Sequence, residues 1–365
     1  MKTIFKISIF VFALFLSTSL FINCDKSSAI KNDKPAIAST ENMLDYNVKE
    51  EVITRNPLVF ITGFDKGTET YYNNARAYFE EQQFEIVEDQ YSLEEIINWL
   101  NRNESENPYG EIHIVNNSNP FKGLSLETVI KGEKITAETL RKNITKGTLP
   151  ILRESVNANS KIIFHANGLG ENKELMNTFK DAFCADEMPN VIASPYYSIF
   201  NGDFTQHYLA KPHYVFYPTA YSPGKVDLSK EIAAKYPEEK DIDWLDVLYN
   251  DEERFVGEAY TKQFTIPLKF ELDYHNSDNE VPTFENQDEL MDFIELQEVL
   301  YAKVEQLNIP IEKFRWSYQL KNSTLIIKGK TTGLVVLKPL IKPYGELEYI
   351  CLLYTSDAAD DLLCV

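Results

Sequence analysis

The chain has 365 residues, with 36 Lys and Arg against 56 Asp and Glu, for a net charge of −20. A surface this acidic repels nucleic-acid phosphates and anionic headgroups, so no nucleic acid is expected as a partner. The 44% apolar content, with 21 Tyr and 22 Phe, is ample for a core in one large domain or two small ones.

The N-terminus reads as a secretory signal over residues 1–23. Lys2 and Lys6 form a basic region, Ile7 to Phe15 is apolar, and Ser17-Thr18-Ser19 precede Cys24. The stretch is too short and asymmetric for a comfortable membrane span. The placement of Cys24 resembles that of bacterial lipoproteins, which are cleaved before a Cys that receives lipid. Asn23 in place of the usual small residue is similar to the relaxed boxes of Bacteroidetes-like members. The resemblance implies lipidation at Cys24, a membrane lipid as partner and a location in the cell envelope. Residues 24–56 are polar and lack a sustained period, the composition of a flexible tether.

From Pro57 the pattern alternates. Leu58–Thr62, Phe84–Glu88, Glu111–Val115, Lys161–His165, Asn190–Ser194 and His213–Tyr217 read as strands. Between them, Tyr72–Gln83 is helical in composition. Ser92 begins a second helix with Glu95 at capping-box spacing, and Leu93, Ile96, Ile97 and Leu100 make its apolar stripe. Thr136 opens a third helix, and a fourth carries Leu175, Met176, Phe179 and Phe183. Short apolar strands alternating with amphipathic helices predict an α/β fold, a mostly parallel sheet with helices on both faces. Beyond Thr219 an α+β region with antiparallel hairpins is expected to 350. A helix spans Gln287–Asn308 with Leu296, Leu300, Val304 and Leu307 on one face. Strands lie within 263–273 and 314–340, with turns at Asn322-Ser323 and Lys330-Thr-Thr-Gly333. Whether this half is a separate domain or a cover over the first sheet stays open.

Residues 351–365 resemble the translation of a sequencing adapter, so they are set aside as an artefactual tail. Without their three acids the net charge is −17. Cys24 and Cys184 are then the cysteines left, too few for a disulfide framework.

Sites in such sheets form past the strand carboxyl ends. Two loops stand there, Asn116-Asn-Ser-Asn-Pro-Phe121 and Ala166-Asn-Gly-Leu-Gly170. With the excursion 123–134 and the stretches Gly123-Leu-Ser-Leu126 and Gly168-Leu-Gly170, residues 57–220 resemble the caspase-like fold of clan CD cysteine peptidases and their CHAT-type relatives. In that family one loop carries a His-Gly pair and the other a Cys. Here Asn117 stands for the His, Ser118 for the Gly and Asn167 for the Cys. An amide neither titrates near neutrality nor attacks a carbonyl, so the resemblance implies a fold that has lost its dyad and binds rather than cuts.

The candidate ligand-binding residues are Asn116, Asn117, Ser118, Asn119, His165, Asn167 and Gly168, with a peptide, protein or small polar molecule as ligand. His113 and His165 lie within strands and read as core residues, and Cys184 reads as a buried structural thiol. Gly168 and Gly170 could offer N–H groups to an anion or form a tight turn. No motif implies a cofactor or a metal. Two alternatives remain open: a hydrolase using His165 or Cys184, and a structural envelope protein.

Overall fold

A computed structural model describes residues 54–62, 69–121, 123–183, 188–200, 202–275 and 280–342, with the backbone of Leu353–Tyr354. These belong to one compact unit spanning 52–365. The expected signal, the expected tether up to residue 53 with Cys24, Cys184, the side chain of Asn119 and most of residues 343–365 lie outside the described residues.

The first sheet is built from β1 (Leu58–Ile61), β2 (Glu85–Val87), β3 (Glu111–Val115), β6 (Lys161–His165) and β7 (Asn190–Ala193), all parallel, in the order β7-β6-β3-β1-β2. Helices connect them: α1 (Glu69–Glu81), α2 (Leu93–Arg102), α3 (Ala137–Thr145) and α4 (Lys173–Ala182). Two short strands, β4 (Ser118–Asn119) and β5 (Gly123–Leu124), form a hairpin between β3 and α3. Helix starts follow the capping signals. Ser92 accepts the Glu95 N–H, while the Glu95 carboxylate reaches back to the Tyr91 N–H. Thr136 and Thr139 cap α3 reciprocally, and Asn172 caps α4.

Strand side chains alternate between two cores. Leu58, Phe60, Ile112, Ile114, Ile162 and Phe164 pack under α2, α3 and α4. Val59, Ile61 and Val115 face Tyr72, Ala75 and Phe79 of α1. Helices on both faces explain why the strands are apolar throughout rather than alternating with polar residues.

After β7 the chain passes through Ser194-Pro195-Tyr196 into a second, antiparallel sheet. Its strands are β8 (Tyr197–Phe200), β9 (His207–Pro218), β10 (Tyr260–Asp273), β11 (Arg315–Lys321) and β12 (Thr324–Pro339). β10 runs along one edge of β12, while β11 and then β9 share the other. The helices α5 (Lys225–Lys235) and α6 (Trp244–Val247) cover one face, and α7 (Gln287–Leu296) and α8 (Glu298–Glu305) the other. Leu353–Tyr354, here β13, pairs antiparallel with the edge of β7.

Three expectations are corrected here. The strand at 213–217 belongs to the antiparallel sheet, not to the βα run, because it is part of β9 and pairs with β12. The helix expected over 287–308 breaks at Gln297, which is extended, and Leu296 is 82% exposed. Leu296, Leu300 and Val304 span only about 80° of a straight helix, a single apolar stripe, so the sequence period alone does not reveal the break at Gln297 that turns Leu296 out of it. Two helices place Leu290 and Ile294, then Leu300 and Val304, against the sheet. Finally, 330–333 is no turn: β12 runs straight through it. A Cβ on Gly333 would stand 2.7 Å from Phe264 Cζ and 3.2 Å from Phe216 Cε1, so the glycine admits two aromatic rings to the sheet face.

Candidate functional site

β3 and β6 are parallel neighbours whose last residues, Val115 and His165, are register partners. Asn117 and Asn167 each lie two residues beyond those partners, so parallel pairing alone brings them together. Asn167 Nδ2 donates to Asn117 Oδ1 at 3.3 Å and to the Ser118 carbonyl at 3.4 Å. Ser118 Oγ donates to the Asn167 carbonyl at 3.3 Å. The Asn117 N–H donates to Tyr72 Oη at 3.0 Å, and its carbonyl accepts from Ser125 Oγ at 2.6 Å. The loops are thus fixed through their backbones, and Asn167 Oδ1 has no hydrogen-bond partner among the described residues.

Asn117, Ser118 and Asn167 line a cleft of about 1060 Å³. Tyr71 of α1 lines the same side. The opposite wall comes from the second sheet, with Tyr197, Ile199, Tyr208, Tyr260 and Phe264. Burial pushes the hydroxyls of Tyr197 and Tyr260 up to about 12 and those of Tyr71 and Tyr208 higher still, so all four stay neutral donors. At the far end Glu253, 5% exposed, accepts the Gly257 N–H at 2.6 Å through Oε1. Burial raises its pKa, and among the described residues Oε2 has no partner of ordinary geometry, although the Tyr208 hydroxyl is near.

The other sequence candidates sit elsewhere. Asn116 is fully buried and stitches three strand ends together. Its Nδ2 donates to the Thr62 carbonyl at 2.9 Å, and its Oδ1 accepts from the Ser125 N–H at 2.9 Å and Ser125 Oγ at 3.2 Å. With no exposed surface, it presents no atom to a ligand. Gly168 has φ +68°, and its N–H is used by the Tyr196 carbonyl, as that of Gly170 is by Ser194. The pair forms a tight turn rather than an anion cradle. A Cβ on Gly170 would meet the Ala193 carbonyl at 2.7 Å, which accounts for the second glycine by close packing. Asn119 contributes backbone to β4; its side chain lies outside the described residues.

His165 is not among the residues lining the cleft. Its ring stacks on His113, with His113 Nδ1 2.8 Å from His165 Nε2, and packs against Phe79, Phe200 and His207. Burial, then the neighbouring His113 and His207, hold its pKa well below the ordinary histidine value. Burial and His113 likewise push His207 down to about 4. His165 and His207 are thus held neutral within a ring cluster between α1 and the sheet.

Tyr71, Tyr72, Ser125 and the wall from the second sheet were not anticipated. Only Ser125 carried a sequence signal, inside the quoted 123–126 stretch. Among the described residues, no three His, Cys, Asp or Glu side chains converge as metal ligands, and no helix is long and apolar enough to cross a membrane. Comparison with family models, curated proteins and solved structures returns no match.

Proposed function

We propose that the chain is an envelope lipoprotein, held to a membrane through lipid on Cys24. Its α/β half is a caspase-like fold without the His/Cys dyad, and it binds a peptide or small polar ligand without cleaving it. The observation that carries this reading is the Asn117–Asn167 contact in the cleft. Two amides meet where the resemblance calls for an imidazole and a thiol. Amides offer donors and acceptors that match a peptide backbone, and they supply neither a nucleophile nor a proton relay. Asn167 Oδ1, without a partner among the described residues, adds an acceptor to a cleft of ligand size whose opposite wall is largely aromatic.

The test is a library of short capped peptides, read by thermal shift and by mass spectrometry of the recovered peptide. A hit should raise the melting temperature and come back intact. Asn117→Ala with Asn167→Ala should abolish the shift while leaving the unliganded melting temperature within a few degrees. Cleavage of the hit, or a shift untouched by the double substitution, overturns the reading. Anchoring is checked separately: Cys24→Ser should move the protein from the membrane to the soluble fraction, and continued membrane association refutes lipidation there.

A further inference from the structure

A second groove, of about 1310 Å³, runs between α3 and α4 on one bank and β9, α5 and α8 on the other. Its lining holds seven Lys and Arg side chains against three Glu, in a chain whose net charge is −20. Such a local reversal needs a reason, because scattered surface charge would give this groove the sign of the whole molecule.

Several of the cations are already committed. Arg141 pairs with Glu174, Lys142 with Glu133 and Lys211 with Glu239. Lys235 donates to the Tyr214 carbonyl. Lys146, Lys173 and Lys303 are exposed and make no ion pair among the described residues. They stand on both banks: Lys146 at the end of α3, Lys173 at the start of α4 and Lys303 on α8. Lys173 also breaks a local rule, since the first helical position is where the helix dipole disfavours a cation. Conflicts of this kind between local preference and fold concentrate at functional sites. Between the banks the floor is aromatic. Phe121 meets Tyr214 and Phe216 edge-on at 5.3 and 5.4 Å, with Tyr236 beside them.

We propose that this groove is a docking site for an extended acidic segment of a partner protein, one that carries aromatic or large apolar side chains. The free lysines on both banks would meet its carboxylates, and the ring floor its apolar side chains. Charge complementarity and the recess select this occupant. A bilayer surface cannot enter between the banks, and the acidic surface around them repels it. The groove adjoins the amide cleft at Gly123, but Lys146, Lys173 and Lys303 do not line that cleft and Asn117 and Asn167 do not line the groove, so either reading can fail without the other.

The test uses the full chain in mild detergent and a fluorescein-labelled dodecapeptide of alternating Glu and Phe, with a Gln-for-Glu peptide as control. Net-charge attraction is excluded beforehand, because probe and protein are both anionic, and the Gln-for-Glu peptide reports apolar association. Fluorescence anisotropy should show the acidic peptide binding about tenfold or more tightly than the amide control, weakening several-fold between about 50 and 300 mM salt. Lys146→Glu, Lys173→Glu and Lys303→Glu together should abolish the difference without lowering the melting temperature, since all three side chains are exposed. Asn117→Ala should leave it intact. Equal affinity for the two peptides, or an unaffected triple variant, overturns the proposal. Phosphatidylglycerol vesicles that bind with the same dependence on the three lysines would overturn the peptide assignment in favour of a membrane.

Discussion

Two adjacent asparagines, alike in sequence, should respond to substitution in opposite ways. Asn116→Ala removes an amide with no exposed surface. The Thr62 carbonyl and the Ser125 N–H each lose a 2.9 Å hydrogen bond, whereas Ser125 Oγ keeps its bond to the Asn117 carbonyl. The orphaned Thr62 carbonyl is buried and the Ser125 N–H half-buried, and at about 1–3 kcal/mol per fully buried group the loss is roughly 3 kcal/mol. Asn116→Asp should cost at least as much, because it buries a charge against the Thr62 carbonyl. Asn117→Ala removes only a 3.3 Å amide contact, and the backbone bonds that hold its loop survive. Its cost should stay below about 1 kcal/mol. Urea unfolding at neutral pH gives both numbers. The reasoning fails if the two alanine variants agree within about 0.5 kcal/mol, or if Asn117→Ala is the more damaging.

Two other outcomes follow from the same geometry. His207 is held neutral in the fold with its pKa near 4, by burial and the neighbouring His113. The unfolded chain takes up its proton near the ordinary value of about 6.5, so it binds more protons below that pH and stability falls with acidification. Between pH 7 and pH 5 the loss from this residue is about 2 kcal/mol, and the depressed His165 adds to it in the same direction. His207→Gln should flatten that slope in urea titrations, and an unchanged slope would remove the buried-histidine account. Gly333→Ala should destabilise by roughly 1–3 kcal/mol, because its methyl group would meet the ring of Phe264 at 2.7 Å. A neutral result would mean that the ring moves freely and the glycine is not required.

Much of the first half was legible because its determinants are local. Ser92 and Thr136 announced their helices, and apolar runs bounded by turns marked the strands from Leu58 to Ala193. The meeting of Asn117 with Asn167 was also legible, since in parallel neighbours equal offsets from paired strand ends coincide in space. Tertiary structure decided the rest. Nothing near Lys330-Thr-Thr-Gly333 reveals that β9 and β10 flank it and carry the strand through, nor that the rings of Phe216 and Phe264 occupy the space above the glycine. Nothing local distinguishes Asn116 from Asn117, because the difference is a carbonyl at Thr62 and an N–H at Ser125 supplied by other strand ends. The second wall of the cleft and the basic groove are assembled from segments far apart in the chain. Hydrophobic period and capping are written residue by residue, whereas burial, charge pairing and cleft shape depend on which segments the fold packs side by side.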